Sequence, residues 1–341
     1  MHLKLKKLII LLALTNCCTE TRLFADDTHT QTNQYSIAPA KNPLADDTLP
    51  FYIQAAYTYW VPYQEGMNLA YSGHSGTASI PGNIIRPNIE VCNGFKVAIG
   101  ANTMHDGWMV GFNYTWFNNA PAMAANPLIP NLAYRQAFDG SSNHQILELS
   151  SKWSNQFNRI DGQLDRSFYA GHYLAFRPWL GLLGAWDTQN VNANDLEFEG
   201  QIENVNKQVR WEQNWWGIGP YAGCEASYYF TNNCALYISS GGAMLLANHC
   251  PSQAEYKVQG ATVLDYDFNL KNSFYNVEPM IETSLGLRWE SFWTKWALCI
   301  DLSWELQTYF SHNGFQSFQY PMGIMGKYSM QGLTAGVKIS V

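Results

Sequence analysis

Trp296-Ala297-Leu298-Cys299-Ile300-Asp301-Leu302-Ser303-Trp304-Glu305-Leu306-Gln307 alternates between lipid-compatible and water-compatible side chains. Its even positions are all aliphatic or tryptophan, while Cys299, Asp301, Ser303, Glu305 and Gln307 fall between them. Just upstream, Ile281, Thr283, Leu285, Leu287 and Trp289 interleave with Glu282, Ser284, Gly286, Arg288 and Glu290. A period of two places each set on its own face of a strand. Strands of soluble proteins usually stop at about five or six residues. Alternation over roughly ten residues with aromatics at its ends suits a strand that crosses a bilayer.

Working outward, ten segments read as strands: 51–63, 91–102, 108–117, 145–169, 173–187, 211–230, 234–247, the two above, and 328–341. Most separate into two faces. Ile160, Leu164 and Phe168 oppose Arg159, Asp161, Gln163 and Asp165, and Leu180 and Leu182 oppose Arg177. The two faces of 234–247 cannot be told apart, because both are apolar or small. Connections alternate in length. Short ones fall near residues 105, 171, 232 and 293, and long ones begin near 64, 118, 188, 248 and 311. An even number of strands with short turns at one end and long loops at the other predicts an all-β, closed antiparallel transmembrane β-barrel. Ten strands are expected, and twelve remain open because 256–268 also alternates weakly. Aromatics cluster at the strand ends. One rim would hold Tyr169, Tyr173, Tyr228, Tyr229, Phe230, Phe292, Trp293 and Trp296; the other would hold Trp116, Phe117, Trp186, Trp211, Trp215, Tyr309 and Phe310. Amphipathic rings favour the lipid–water interface.

Composition agrees. Only 14% of residues are charged and 15% are aromatic, with a mean hydropathy of -0.22. A net charge of -7 disfavours nucleic acid as a partner, since phosphate binding needs a basic face. No run is long and apolar enough for a membrane-spanning helix. Residues 1–25 have the layout of a signal peptide: Lys4, Lys6 and Lys7, an apolar stretch from Leu8 to Leu14, and small Ala25 before Asp26. Cys17 and Cys18 leave lipoprotein processing as a second option, which Asn16 disfavours. Residues 26–48 read as a flexible periplasmic leader, and 49–341 as the outer-membrane barrel. Signal removal leaves Cys92, Cys224, Cys234, Cys250 and Cys299. An odd number leaves one thiol unpaired or bonded to another chain. Cys224 and Cys234 flank a turn and are one candidate pair.

Two runs carry a resemblance: Arg177-Pro178-Trp179-Leu180-Gly181-Leu182-Leu183-Gly184-Ala185-Trp186 and Trp216-Gly217-Ile218-Gly219-Pro220-Tyr221-Ala222-Gly223. With 158–166 and Ser240-Gly241-Gly242-Ala243, they are similar to the Legionella major outer membrane protein family, which has relatives in chlamydia-like bacteria. The resemblance runs from about residue 51 to the C-terminus and implies a pore-forming outer-membrane barrel at the bacterial cell surface.

The chemistry worth following faces the expected lumen. Seven carboxylates (Asp161, Asp165, Glu225, Glu282, Glu290, Asp301, Glu305) meet five cations (Lys96, Arg159, Arg177, Arg288, Lys338), an acidic excess of two. Such a set lines a polar, weakly cation-preferring channel, or forms ion pairs across strands; Arg288 with Asp301 or Glu305 is one such pair. His144, His249 and His312 would sit at the long-loop rim near Asp139 and Glu255, where a rim hydrolase is conceivable and solvated loop histidines are the simpler reading. No histidine spacing suits a metal, and Gly217-Ile218-Gly219 is too short for a nucleotide fingerprint. The sequence therefore predicts a non-enzymatic pore without cofactor or metal that passes small hydrophilic solutes. The expected partners are outer-membrane lipid, those solutes, host or neighbouring surface proteins, and another chain through an unpaired cysteine. The competing class is a closed structural barrel whose long loops serve as an adhesin or surface scaffold.

Overall fold

A computed structural model describes residues 51–72, 74–75, 78–79, 84–87, 89–103, 107–119, 124–126, 133–135, 144–170, 173–198, 204–259, 262–293, 295–315 and 325–341. The expected signal peptide and leader lie outside them, as do His105, Asp139 and His172.

Ten strands form the barrel: β1 (Phe51–Gln64), β2 (Cys92–Asn102), β3 (Trp108–Asn119), β4 (His144–Arg166), β5 (Leu174–Phe198), β6 (Asn204–Tyr229), β7 (Cys234–Gln259), β8 (Phe274–Phe292), β9 (Ala297–Tyr309) and β10 (Tyr328–Ser340). Each pairs antiparallel with the next, and β10 returns to β1, from Tyr52 opposite Ser340 to Gln64 opposite Tyr328. Closure leaves no open edge where the wall crosses the membrane, which a sheet in hydrocarbon requires because lipid offers the backbone no hydrogen bonds. In β9, Ile300, Leu302 and Trp304 point out, 44–53% exposed, while Asp301, Ser303 and Gln307 face in at 2–8%. The same division holds for Leu180 and Leu182 on β5 and for Ile218 on β6. In β7, Leu236, Ile238, Met244 and Leu246 face out, while Tyr237, Ala243, Leu245 and Ala247 face in. Its two faces look alike in sequence because the inner one is also apolar.

Strands β4 to β7 are 23–26 residues long, against 11–14 for β1 to β3. An apolar band about 25 Å tall needs only ~10 tilted residues, so these four strands continue well past the membrane. The stretches read as loops at 188–208 and 248–272 are thus largely strand. Thr188 opposes Asn214, and the register continues without break to Phe198 opposite Asn204. Their Asn-rich composition resembles a loop, but Val191, Ala193, Val209 and Trp211 are buried on the inner face, and that alternation keeps the sheet going. Residues Thr262–Lys271 pair with the far end of β7, so the weak alternation at 256–268 is a raised hairpin, and the barrel wall remains ten-stranded.

Candidate functional site

Period-two geometry brings the inner-face charges of β2, β4–β6 and β8–β10 together around a hollow. Arg177 grips Asp165 with two hydrogen bonds, Nε to Oδ1 at 2.7 Å and Nη2 to Oδ2 at 2.8 Å. Arg288 donates to Asp301 at 2.8 Å and to both Glu225 oxygens at 2.5 and 3.0 Å. Arg159 bonds Asp161 at 3.0 Å and also Glu282, while Lys96 reaches Glu305. Lys338 lies over the Tyr52 ring at 4.7 Å, and Glu290 accepts from the Tyr229 hydroxyl at 3.4 Å. Of the two partners expected for Arg288, Asp301 is the one used.

Two cavities occupy this region, of about 230 and 130 Å³. Tyr52, Arg177, Glu225, Arg288, Cys299 and Lys338 line both, so the two adjoin. Ten of the twelve charged residues line the larger one; Glu290 lines only the smaller, and Asp165 is buried behind Arg177. At ~30 Å³ per water, the larger cavity of about 230 Å³ takes roughly seven waters.

Toward the long-loop side the interior changes character. Trp60, Cys92, Phe117, Phe157, Leu183, Trp215, Leu245, Met280, Tyr309 and Tyr328 are all buried in one cluster, with one residue from each of the ten strands. Phe157 and Trp215 meet Tyr309 edge-on at centroid distances of 5.6 and 5.8 Å. This is an aromatic septum across the lumen. The segment after β9 folds down onto it. His312, fully buried, hydrogen-bonds Glu278 of β8 through Nδ1 at 2.9 Å and Asp187 of β5 through Nε2 at 3.0 Å. Burial alone would lower the His312 pKa, but the two carboxylates more than reverse this and raise it to about 10. The Gln213 amide donates to the His312 carbonyl at 2.9 Å and accepts from the Gly314 N–H at 2.7 Å. Asn313 donates to the Glu65 carbonyl at 2.6 Å, and Phe315 packs against Trp211. We call residues 311–315 the latch.

Four expectations are corrected here. His249 and His312 are buried, not solvated; His249 lies 3.3 Å from Glu278. Glu255 pairs with Lys207 instead of serving a rim histidine. Phe117, Trp211, Trp215, Tyr229 and Tyr309 point inward and leave the lipid rims to neighbours such as Trp186, Trp216, Tyr228 and Phe310. Cys224 is exposed on the outer face and opposes Ser240 of β7, while Cys234 is buried, so the two do not form a pair. Trp215-Trp216 and Tyr309-Phe310 carried a usable signal, because consecutive aromatics on a strand must point opposite ways.

A closed antiparallel barrel with an apolar outer band, interfacial aromatics and charges held inside is an outer-membrane β-barrel. The family model described as the Legionella pneumophila major outer membrane protein precursor matches residues 45–341, and the chain belongs to that family. No curated protein matches it by sequence. Among solved structures it is similar to the outer membrane protease OmpT of Escherichia coli at 8% identity, with 86% of this chain and 97% of that one covered and a TM-score of 0.44. It is also similar to a major outer membrane protein of Thermus thermophilus at 10% identity, with 86% and 100% covered and a TM-score of 0.31.

Proposed function

We propose that the protein is a gated outer-membrane pore for small hydrophilic solutes, held closed by the septum and its latch. The hollow, charge-lined lower lumen carries this reading: a barrel needed only as a scaffold has no use for two adjoining polar cavities. The twelve pore-lining candidates would set selectivity. Their acidic excess of two favours cations weakly, because most of the charges are already neutralised by direct partners. Hydrophobic constrictions close pores by excluding water, which is the role assigned to the aromatic layer. Planar-bilayer recording of the refolded protein tests this. Rare, discrete openings are expected, and conductance absent under all voltages and pH values would reject the pore.

The septum itself favours a second reading, a permanently closed barrel that acts as an adhesin or scaffold through its raised strands and loops. In that case host-cell binding would persist unchanged in variants that loosen the latch, and none of them would conduct.

A further inference from the structure

The raised strands reverse the polarity of the wall beneath them. Along the outer face of β5, Leu180, Leu182 and Trp186 are followed by Thr188, Asn190, Asn192 and Asn194. Behind them, on the inner face, lie buried Gln189, Val191 and Ala193. The neighbouring strands match. Asn190 sits between Ser154 and Glu212, Asn192 between Lys152 and Arg210, and Asn194 between Ser150 and Gln208. The result is a polar sheet face, mostly amides and hydroxyls with Lys152, Arg210 and Glu212 among them, that continues upward from the lipid-facing band, with Trp186 and Trp216 marking the boundary.

We propose that this outer face of β4–β6 docks the saccharide headgroups of an outer-leaflet glycolipid. Height selects the partner. Thr188 to Asn194 lie two to eight residues beyond Trp186, which at roughly 2.5 Å of height per tilted residue puts them roughly 5–20 Å above the aromatic boundary. A phospholipid headgroup layer is only ~5–8 Å thick per leaflet, so the upper rows reach where only sugars extend. Chemistry agrees. Asn and Gln amides and Ser hydroxyls both donate and accept, as sugar hydroxyls do. An anionic headgroup would instead call for clustered cations. Here Arg210 is already paired with Glu212, which leaves Lys152 as the nearest other cation on these rows.

The full-length protein is reconstituted in phospholipid vesicles alone, with lipid A, or with lipopolysaccharide that carries core sugars. Glycolipid retained through detergent exchange and the unfolding midpoint are measured. Wild type is expected to retain the core-bearing lipopolysaccharide at least tenfold better than lipid A, whose disaccharide lies at the membrane surface, and to gain in midpoint. The N190A/N192A/N194A variant should lose both effects while matching wild type in phospholipid alone. If it fails to insert, the single-row variant S150A/N194A/Q208A takes its place. Equal retention of lipid A and the core-bearing form, or undiminished retention by the variants, overturns the proposal. So does a dimer in detergent that these substitutions abolish without any glycolipid present, which would assign the face to a second copy of this chain.

Discussion

Replacing His312 by alanine is the most direct test of the latch. The imidazole is fully buried and holds Asp187 and Glu278, both also buried, at 3.0 and 2.9 Å. Its removal leaves two interior carboxylates without their shared cation, a change that typically costs about 3–5 kcal/mol. At about 1.4 kcal/mol per tenfold, the latched state loses a factor of roughly a hundred to several thousand against the released one. The Gln213 and Asn313 bonds and the Phe315 contact remain, so the variant should exchange between states instead of staying open. Single-channel recording should show open probability rise by at least a hundredfold at neutral pH. Wild type should imitate this at alkaline pH. The latch histidine has a pKa raised from 6.5 to about 10, so its charge stabilises the closed state fully below pH 6.5. That contribution declines as pH rises and is gone above about 10. The H312A channel should lack this alkaline response. Unchanged open probability in H312A, together with an alkaline response that survives the substitution, would refute the latch.

Three further outcomes are expected. Leu302→Arg places a cation on the lipid face near the middle of β9, where the cost is about 2–4 kcal/mol; heat-modifiable gel mobility after refolding should report a lower midpoint, and an unchanged one would mean that Leu302 does not face lipid. Arg288→Met removes the partner of Glu225 and Asp301 and takes the interior excess from two to three negative charges, so the reversal potential under a salt gradient should move toward the cation value and the midpoint should fall. A shift toward anions would contradict the chamber's role. Cys224 is the most exposed of the five described thiols, so Cys224→Ser should abolish any reductant-sensitive dimer on gels, and a dimer that persists would place the bond elsewhere.

The sequence was most readable where the two sides of the wall differ most. In β8 and β9 the outer residues are aliphatic and the inner ones charged, so alternation alone placed Arg288, Asp301 and Glu305 inside. The turn near residue 293 then fixes Arg288 opposite Asp301. Other pairings depend on closure. Lys96 of β2 meets Glu305 of β9, and Arg159 of β4 meets Glu282 of β8, across strands that are not neighbours. Distances of that kind exist only after β10 has joined β1. The septum is hidden in the sequence for a different reason. In β6, residues 211–218 carry apolar side chains on both faces, which blurs a period of two, and an inward tryptophan reads in sequence like one at the lipid rim. The raised strands were missed because polarity reverses at the membrane boundary: Asn190 and Asn192 occupy the outward positions that Leu180 and Leu182 hold below.

The septum and the hollow chamber below it share a cause. A barrel of about eight strands is filled by its own side chains, and one of ~16 holds a channel; ten strands leave an interior that side-chain choice can fill or empty level by level. On the lower levels ion pairs keep the interior polar, some of them spanning non-neighbouring strands as Arg159 and Glu282 do, and leave hollows between them. On the upper levels a large ring from many strands meets its neighbours at the axis, and the histidine that crowns them must then be satisfied by carboxylates within the protein. If the protein is the gated pore proposed above, selectivity and closure rest on different residues at different heights. Substitutions in the chamber should act on which ions pass, and substitutions in the latch on how often they do.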